Sequence, residues 1–309
     1  MIPIDIDPAA HPRYRKVLLP YFTPSRIDRL EPGTREQARE LISSIPTPGG
    51  FDASAAFARP LPSLVFCRFA GFPTEDAERF DVWIDRIFYR RTTDPADAQA
   101  AADAVYAYFR GLLEERRNAP PIDDLIGGLL VAEIGGRPPT DDELLNFIYT
   151  LFVAGLDTTA WTIRSSLWHL AQHPQDRHRL REDPSLIPGA VEEFLRTLSP
   201  VQAMARTVTR DVDMDGHHVK EGERVVLVFG AANRDPEEFP APDAIRIDRQ
   251  ENRHLAFGVG IHRCIGSNLG RLEVKVALEE FLAAFSDFEL AGESPWHGVG
   301  PLPLTVRGR

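Results

Sequence analysis

The chain has 309 residues, of which 43% are hydrophobic and 26% are charged, and its formal net charge at pH 7 is −11. This composition excludes a disordered or collagen-like chain, and the acidic balance argues against binding to nucleic acid or to an anionic membrane surface. The sequence shows no leader pattern and no apolar run of the ~18 residues that a membrane span needs. Because its two cysteines, Cys67 and Cys264, are widely separated, we expect a cytoplasmic protein without a disulfide framework.

Apolar periodicity predicts a mostly helical chain from about residue 10 to residue 200, and one further helix near the C-terminus. The predicted helices cover residues 11–22, 34–46, 59–71, 75–90, 95–117, 123–133, 141–172, 175–183, 186–198 and 266–285. The helix 141–172 is apolar on most sides and begins with the capping-box pattern Thr140-x-x-Glu143. We therefore expect it to be central and buried.

The sequence pattern changes after residue 200, where short β-branched runs alternate with turn residues. Strands are predicted at Thr207–Thr209, His218–Lys220 and Val225–Val228, with turns at Asp215-Gly216 and Glu221-Gly222. These elements predict a mainly α fold with a small β region, organised as one domain over residues 1–309.

The stretch 257–266 carries the strongest chemical pattern, because three glycines surround Cys264 directly before a predicted helix. Glycine permits positive φ and a close approach of the backbone to a flat ligand. The start of a helix and the neighbouring His262 and Arg263 favour the thiolate over the thiol. We therefore expect an anionic sulfur that faces a large ligand.

Three kinds of site could use such a cysteine. A zinc site needs about four ligands, and no second Cys or His pair at ligand spacing lies near Cys264. A nucleophilic cysteine needs a base and an oxyanion site, and it leaves the glycines unexplained. A thiolate on haem iron needs one protein ligand, a glycine-lined backbone and N–H donors to the sulfur. The loop favours haem, with a buried, inert cysteine as the alternative.

Several motifs in this order resemble the cytochrome P450 family. The stretch from Phe257 to Gly266 is similar to its haem-binding signature, and 154–159 (AGLDTT) is similar to the oxygen-binding motif of its long central helix. Glu193-x-x-Arg196 resembles the family's Glu-x-x-Arg pair, while 233–236 (NRDP) and 254–256 (HLA) resemble bacterial members. The resemblance implies a cytochrome P450 fold that lacks the usual N-terminal helices and first sheet strands.

The resemblance also implies a bound haem b with Cys264 as the axial ligand of the iron. Phe257, Gly258 and Gly266 would surround the sulfur. The haem propionates would be held by His11, Arg15, Arg206 and His262. Cys67, in an apolar helix, is expected to be a core residue.

On the oxygen-binding side, Ala154 and Gly155 would contact the cofactor, and Gly155 would let the helix open. Asp157 and Thr158 would be the catalytic pair that relays protons from solvent to dioxygen. By the same resemblance, Glu193 and Arg196 would form a buried ion-pair network with Arg249.

The activity implied by the resemblance is monooxygenation, in which one oxygen atom of O₂ enters a small hydrophobic molecule. Electrons would come from NAD(P)H through a ferredoxin reductase and a ferredoxin, which would dock near Arg263 and Arg271. The substrate pocket would be lined by residues 86–96, Phe152–Ala154 and Val201–Met204.

An alternative is a regulatory or catalytically impaired haem-binding relative, because the sequence begins just before the helix that carries His11 and Arg15. In both cases we expect a monomer with no nucleic-acid or membrane partner.

Overall fold

The helices of the computed structural model, which describes residues 1–295 and 300–308, follow the apolar periodicity of the sequence closely. They are α1 (His11–Leu18), α2 (Pro24–Asp28), α3 (Glu31–Ser43), α4 (Pro60–Ala70), α5 (Ala77–Tyr89), α6 (Pro95–Arg117), α7 (Leu125–Leu130), α8 (Asp141–Gln172), α9 (Pro174–Glu182), α10 (Ile187–Leu198), α11 (Phe229–Ala232) and α12 (Ser267–Ala284). No helix of the described ranges is long and apolar enough to cross a membrane.

Capping residues explain where the predicted ends are right. Thr140 and Glu143 form the expected capping box at the start of α8, with each side chain bonded to the other residue's N–H. Asp94 caps α6 by accepting the Asp97 N–H at 3.1 Å. Helix α3 begins three residues earlier than predicted, because its first turn accommodates Pro32.

The strands form small antiparallel sheets. They are β1 (Gly49–Asp52), β2 (Met204–Thr207), β3 (Val212–Met214), β4 (His217–Val219), β5 (Arg224–Leu227), β6 (Asp287–Leu290) and β7 (Pro303–Gly308). The sheet orders are β1-β7-β6, β2-β5 and β3-β4.

The strand predictions were right in kind but incomplete in position. The strand predicted at Thr207–Thr209 is wrong beyond Thr207, because the pairing of β2 with β5 begins at Met204 opposite Leu227. The turn at Asp215-Gly216 is confirmed, since both residues have the positive φ that such a hairpin turn requires.

Helix α8 runs through the core and packs against α4, α6, α10 and α12. An aromatic cluster surrounds its Phe152, whose ring centroid lies 5.3 Å from that of Phe80, 5.6 Å from that of Phe109 and 6.1 Å from that of Phe66. Phe152 is fully buried. The expectation that it lines the substrate pocket is therefore wrong, because its side of α8 faces the core.

The predicted ion cluster is confirmed. Glu193 and Arg196 are fully buried and paired at 2.8 Å, and Arg249 joins Glu193 at 2.9 Å. Arg196 also donates to the carbonyl oxygens of Asn233 and Pro242. The cluster thereby anchors the irregular segment that precedes residues 257–266, which we call the Cys264 loop.

Candidate active site

The Cys264 loop connects the small β region to α12. Gly258 and Gly260 have φ of 64° and 72°, so the loop turns where other residues would be strained. The Cys264 N–H donates to the Phe257 carbonyl at 2.8 Å, and the Gly266 N–H is hydrogen-bonded to the sulfur. The Cys264 side chain is exposed. The loop thus presents a sulfur with its own N–H donor on an accessible surface.

Charge around the sulfur differs from expectation. Burial raises the pKa of the Cys264 thiol, and it outweighs the Gly266 N–H and the charges of Arg15, Arg271 and Arg263, which lower the pKa. The prediction that the helix start and the neighbouring His262 and Arg263 favour the thiolate over the thiol is therefore wrong. Solvent thus reaches the Cys264 side chain, although many protein atoms lie around it.

Cys67 contrasts with Cys264 in its exposure to solvent. It is fully buried in α4. Burial, with smaller contributions from Asp76 and Glu75, raises the pKa of its thiol to about 12. The prediction of a core cysteine is confirmed.

The middle of α8 lies beside the start of α12, since a Cβ built on Gly270 would be 4.0 Å from the Thr159 hydroxyl. Here Ala154 and Gly155 are exposed, although most of α8 is buried. The helix is continuous, and the Thr158 hydroxyl donates to the Ala154 carbonyl at 2.9 Å. Gly155 therefore leaves an open patch on the helix surface, and the expected opening of the helix itself is not seen.

Asp157 has a partner that the sequence did not predict. Its Oδ1 accepts a hydrogen bond of 2.5 Å from the hydroxyl of Tyr89, the last residue of α5. Burial raises the pKa of Asp157, and the Tyr89 hydrogen bond and the Arg59 charge oppose that rise only partly. A cavity with room for about one water molecule lies beside them, lined by Arg59, Asp81 and Asp157 among others.

The four basic residues predicted for the propionates come together. The His11 and His262 rings are 4.5 Å apart, and Arg15 donates to the Arg263 carbonyl at 2.6 Å. Burial lowers the pKa of His262, and the charges of His11, Arg206 and Arg15 lower it further. This mutual repulsion indicates a place for an anion.

The arrangement fits a flat ligand that carries two carboxylates. His11 is buried, and its Nε2 has no hydrogen-bond partner among the described residues. The exposed apolar side chain of Val228 lies near the loop. Val228 immediately precedes Phe229, and a Cβ built on Gly258 would lie 3.9 Å from the Phe229 ring. A haem would need a sulfur ligand for its iron, an uncovered surface for its ring and basic side chains for its carboxylates, and the accessible sulfur, the helix patch and the basic cluster are of these kinds.

Comparison with known proteins identifies the family. The model of the family described as Cytochrome P450 matches residues 78–297. The chain belongs to the cytochrome P450 family. This cytochrome P450 is 38% identical over 309 residues to Cytochrome P450 130 of Mycobacterium tuberculosis, covering 97% of this chain and 76% of that protein.

Two further relatives extend the comparison. The mycinamicin IV hydroxylase/epoxidase of Micromonospora griseorubida is 38% identical over 282 residues, covering 90% of this cytochrome P450 and 71% of the relative. The crystal structure of CYP109E1 from Bacillus megaterium in complex with testosterone superimposes with a TM-score of 0.88 at 34% identity, covering 98% of this chain and 86% of that chain. The chain is thus a bacterial-type cytochrome P450 monooxygenase with a haem-thiolate cofactor.

Two groups of contacts were missed by the sequence analysis. Tyr89 and Asp157 are 68 positions apart, and the pair of Arg271 with Glu192 spans 79 positions. Motif spacing holds no information on such distant pairs. The second pair also means that Arg271, expected to dock a ferredoxin, is already bound within the protein.

Proposed function

We propose that the chain, acting as a single domain, binds haem b through the Cys264 sulfur and hydroxylates a small hydrophobic molecule with O₂. When bound, the haem supplies the binding and reductive activation of O₂. The observation that carries the proposal is the accessible Cys264 sulfur, bonded to the Gly266 N–H, near a cluster of basic side chains. Residues of the chain would bind the haem, deliver protons and contact the substrate.

Two sets of residues would bind the cofactor, one at its propionates and one at its ring and the sulfur. His11, Arg15, Arg206 and His262 would bind the two propionates, which relieves their mutual repulsion. Phe257 and Gly258 would cover the sulfur side. Ala154 and Gly155 are small enough to let a flat ring lie against α8.

Proton delivery falls to Asp157 and Thr158. Because burial raises the pKa of Asp157, this carboxyl group holds a proton at a higher pH than an exposed aspartate. The Thr158 hydroxyl donates a hydrogen bond to the Ala154 carbonyl, so its lone pairs can accept a hydrogen bond from a water molecule. Asp157 would take protons from the solvent side, where Tyr89 is partly exposed.

The substrate class follows from the side chains around this site. Phe88 and Tyr89 are 41% and 39% exposed at the end of α5, where Tyr89 is hydrogen-bonded to Asp157. Together with Val153 and Ala154 they offer an apolar surface to a small hydrophobic molecule. Relatives named for mycinamicin IV and solved with testosterone support this class. Electrons would come from NAD(P)H through a separate ferredoxin reductase and ferredoxin, to a monomer in the cytoplasm.

The test is the absorption spectrum of the reduced, CO-treated protein. We expect a red-shifted Soret band in the wild type and in the core control Cys67→Ala, and its loss in Cys264→Ser with unchanged far-UV circular dichroism. A folded wild type without that band would overturn the proposal. Thiolate spectra without NAD(P)H-dependent product, for any ferredoxin pair tried, would favour the regulatory alternative.

A further inference from the structure

Three side chains beside the Cys264 loop, those of Glu192, His254 and Arg271, have no task in the proposed function. Arg271 lies in the second turn of α12, and its guanidinium carbon is 4.5 Å from the centroid of the Phe257 ring. This is within the range of a cation–π interaction. The Phe257 carbonyl accepts the Cys264 N–H at 2.8 Å. The Arg271 guanidinium therefore stacks on Phe257, whose carbonyl is hydrogen-bonded to the backbone N–H of Cys264.

Glu192 of α10 fixes the Arg271 guanidinium in this orientation. Its carboxylate accepts the Arg271 Nε and Nη2 hydrogen bonds at 2.6 Å and 2.8 Å. Such a two-point contact sets the plane of the guanidinium as well as its distance. Burial would raise the pKa of Glu192, but the hydrogen bonds from Arg271 and His254 outweigh burial and hold it at about 2. Glu192 is therefore an anion at any working pH.

His254 completes the group as a neutral member. Its Nε2 lies 3.0 Å from Glu192, its Nδ1 accepts the Ala256 N–H at 3.2 Å, and its side chain is 2% exposed. Since Nδ1 is an acceptor, the imidazole proton is on Nε2 and is donated to Glu192. The group thus holds one positive charge, on Arg271, and one negative charge, on Glu192.

The Arg271 charge lies against the loop that carries the sulfur. Its guanidinium carbon is 4.5 Å from the centroid of the Phe257 ring, and the Phe257 carbonyl accepts the Cys264 N–H. Arg263 is exposed, and among the described residues its side chain has no ion pair, so solvent screens its charge. Arg271 is partly buried, at 30% exposure, and is screened less.

We propose that Arg271, oriented by Glu192 and His254 against Phe257, is a positioning residue that sets the reduction potential of the thiolate-bound haem. The inference rests on the proposed function, in which Cys264 binds the iron. A positive charge near the sulfur stabilises the reduced state, because reduction adds negative charge to the site. The Glu192 carboxylate opposes this effect and limits it.

The experiment is a spectroscopic redox titration of the haem-loaded protein with dithionite and mediators. For Arg271→Gln we expect the equilibrium constant for one-electron reduction to fall about tenfold, which is a potential ~59 mV more negative. For Glu192→Gln we expect a rise, because the Arg271 charge loses its counter-charge. Arg271→Lys should restore most of the loss, and the matched control Arg263→Gln should change the constant less than about twofold.

Opposite signs for Arg271→Gln and Glu192→Gln separate the proposal from a structural role, since loss of packing would move both variants in one direction. Shifts of the same sign, or shifts no larger than that of Arg263→Gln, would overturn it. So would an unchanged potential with weaker ferredoxin binding, which would make Arg271 a docking residue. A wild type without the red-shifted CO band would instead count against the proposed function, before any variant is compared.

Discussion

The substitution Glu193→Gln probes the buried ion cluster directly, because it removes one charge and nearly preserves the shape. The Glu193 carboxylate accepts hydrogen bonds from Arg196, Arg249, the Arg246 N–H and Asn252, at 2.8 Å to 3.1 Å. In the variant, an amide NH₂ would face guanidinium donors. Two buried arginines would also lose their counter-charge.

The expected loss is large. Removing one partner of a buried ion pair costs about 3–5 kcal/mol, because the remaining charge is left uncompensated. A typical free energy of unfolding is only about 5–15 kcal/mol. With a urea m value of about 3 kcal/mol/M, the midpoint of unfolding of the variant would fall by about 1–1.7 M.

The assay is urea unfolding followed by far-UV circular dichroism near neutral pH, with Glu36→Gln as the control. Glu36 pairs with Arg68 at 3.5 Å, and their side chains are 64% and 41% exposed. Exposed pairs contribute about 0–1 kcal/mol, so the control midpoint should change by less than about 0.3 M. Equal shifts in the two variants would refute the role of burial.

The pH dependence separates charge from shape. Burial would raise the pKa of Glu193, but hydrogen bonds from Arg196, the Arg246 N–H and Arg249 lower it below its usual value. The stability that Glu193 contributes is therefore present above its unfolded-state pKa and is lost as the pH falls through the folded-state value. The difference between wild type and Glu193→Gln should shrink in acid, and a difference that stays constant with pH would contradict this.

Three further variants test other parts of the protein. Burial raises the pKa of Glu273 well above its usual value, so wild type should lose up to about 1.4 kcal/mol per pH unit as the pH rises above ~4.5; urea unfolding of Glu273→Gln should lack this slope. Tyr89→Phe removes a hydrogen bond that lowers the pKa of Asp157, so the basic limb of the turnover pH profile, where Asp157 loses its proton, should move to higher pH, and an unmoved limb would exclude the contact. Thr158→Ala should keep the Soret band but give several-fold less product per NAD(P)H and more hydrogen peroxide, whereas equal coupling would remove the role of the hydroxyl.

The helices were the most predictable part of the fold. Both α6 and α8 were predicted with the residues that the structure shows, because Asp94 and Thr140 mark their starts locally. Strands β1 and β7 were not predicted, since Gly49 pairs with Val306 and neither segment alternates strongly enough to be recognised alone. Their pairing depends on the helices that bring the two ends of the chain together.

The candidate site also has parts that the sequence predicts and parts that it does not. Cys264 and its glycines lie in one short stretch, so their arrangement could be read from neighbouring residues. The orientation of Phe152 could not, because a position on a helix that is apolar on most sides does not show which neighbour it meets. The Tyr89 and Arg271 contacts required the packing of α5 against α8 and of α10 against α12.

The Glu193 cluster has a consequence for the segment 233–252, which the structure describes in full and which contains no helix or strand. Arg196 and Arg249 bind its carbonyl oxygens at Asn233, Pro242, Ala244, Pro240 and Ala241. Side-chain donors here take the place of a backbone ladder. Irregular backbone in this segment is thus held by side chains, and the Arg246 amide hydrogen, which donates to Glu193, should exchange more slowly than exposed amides of the same segment.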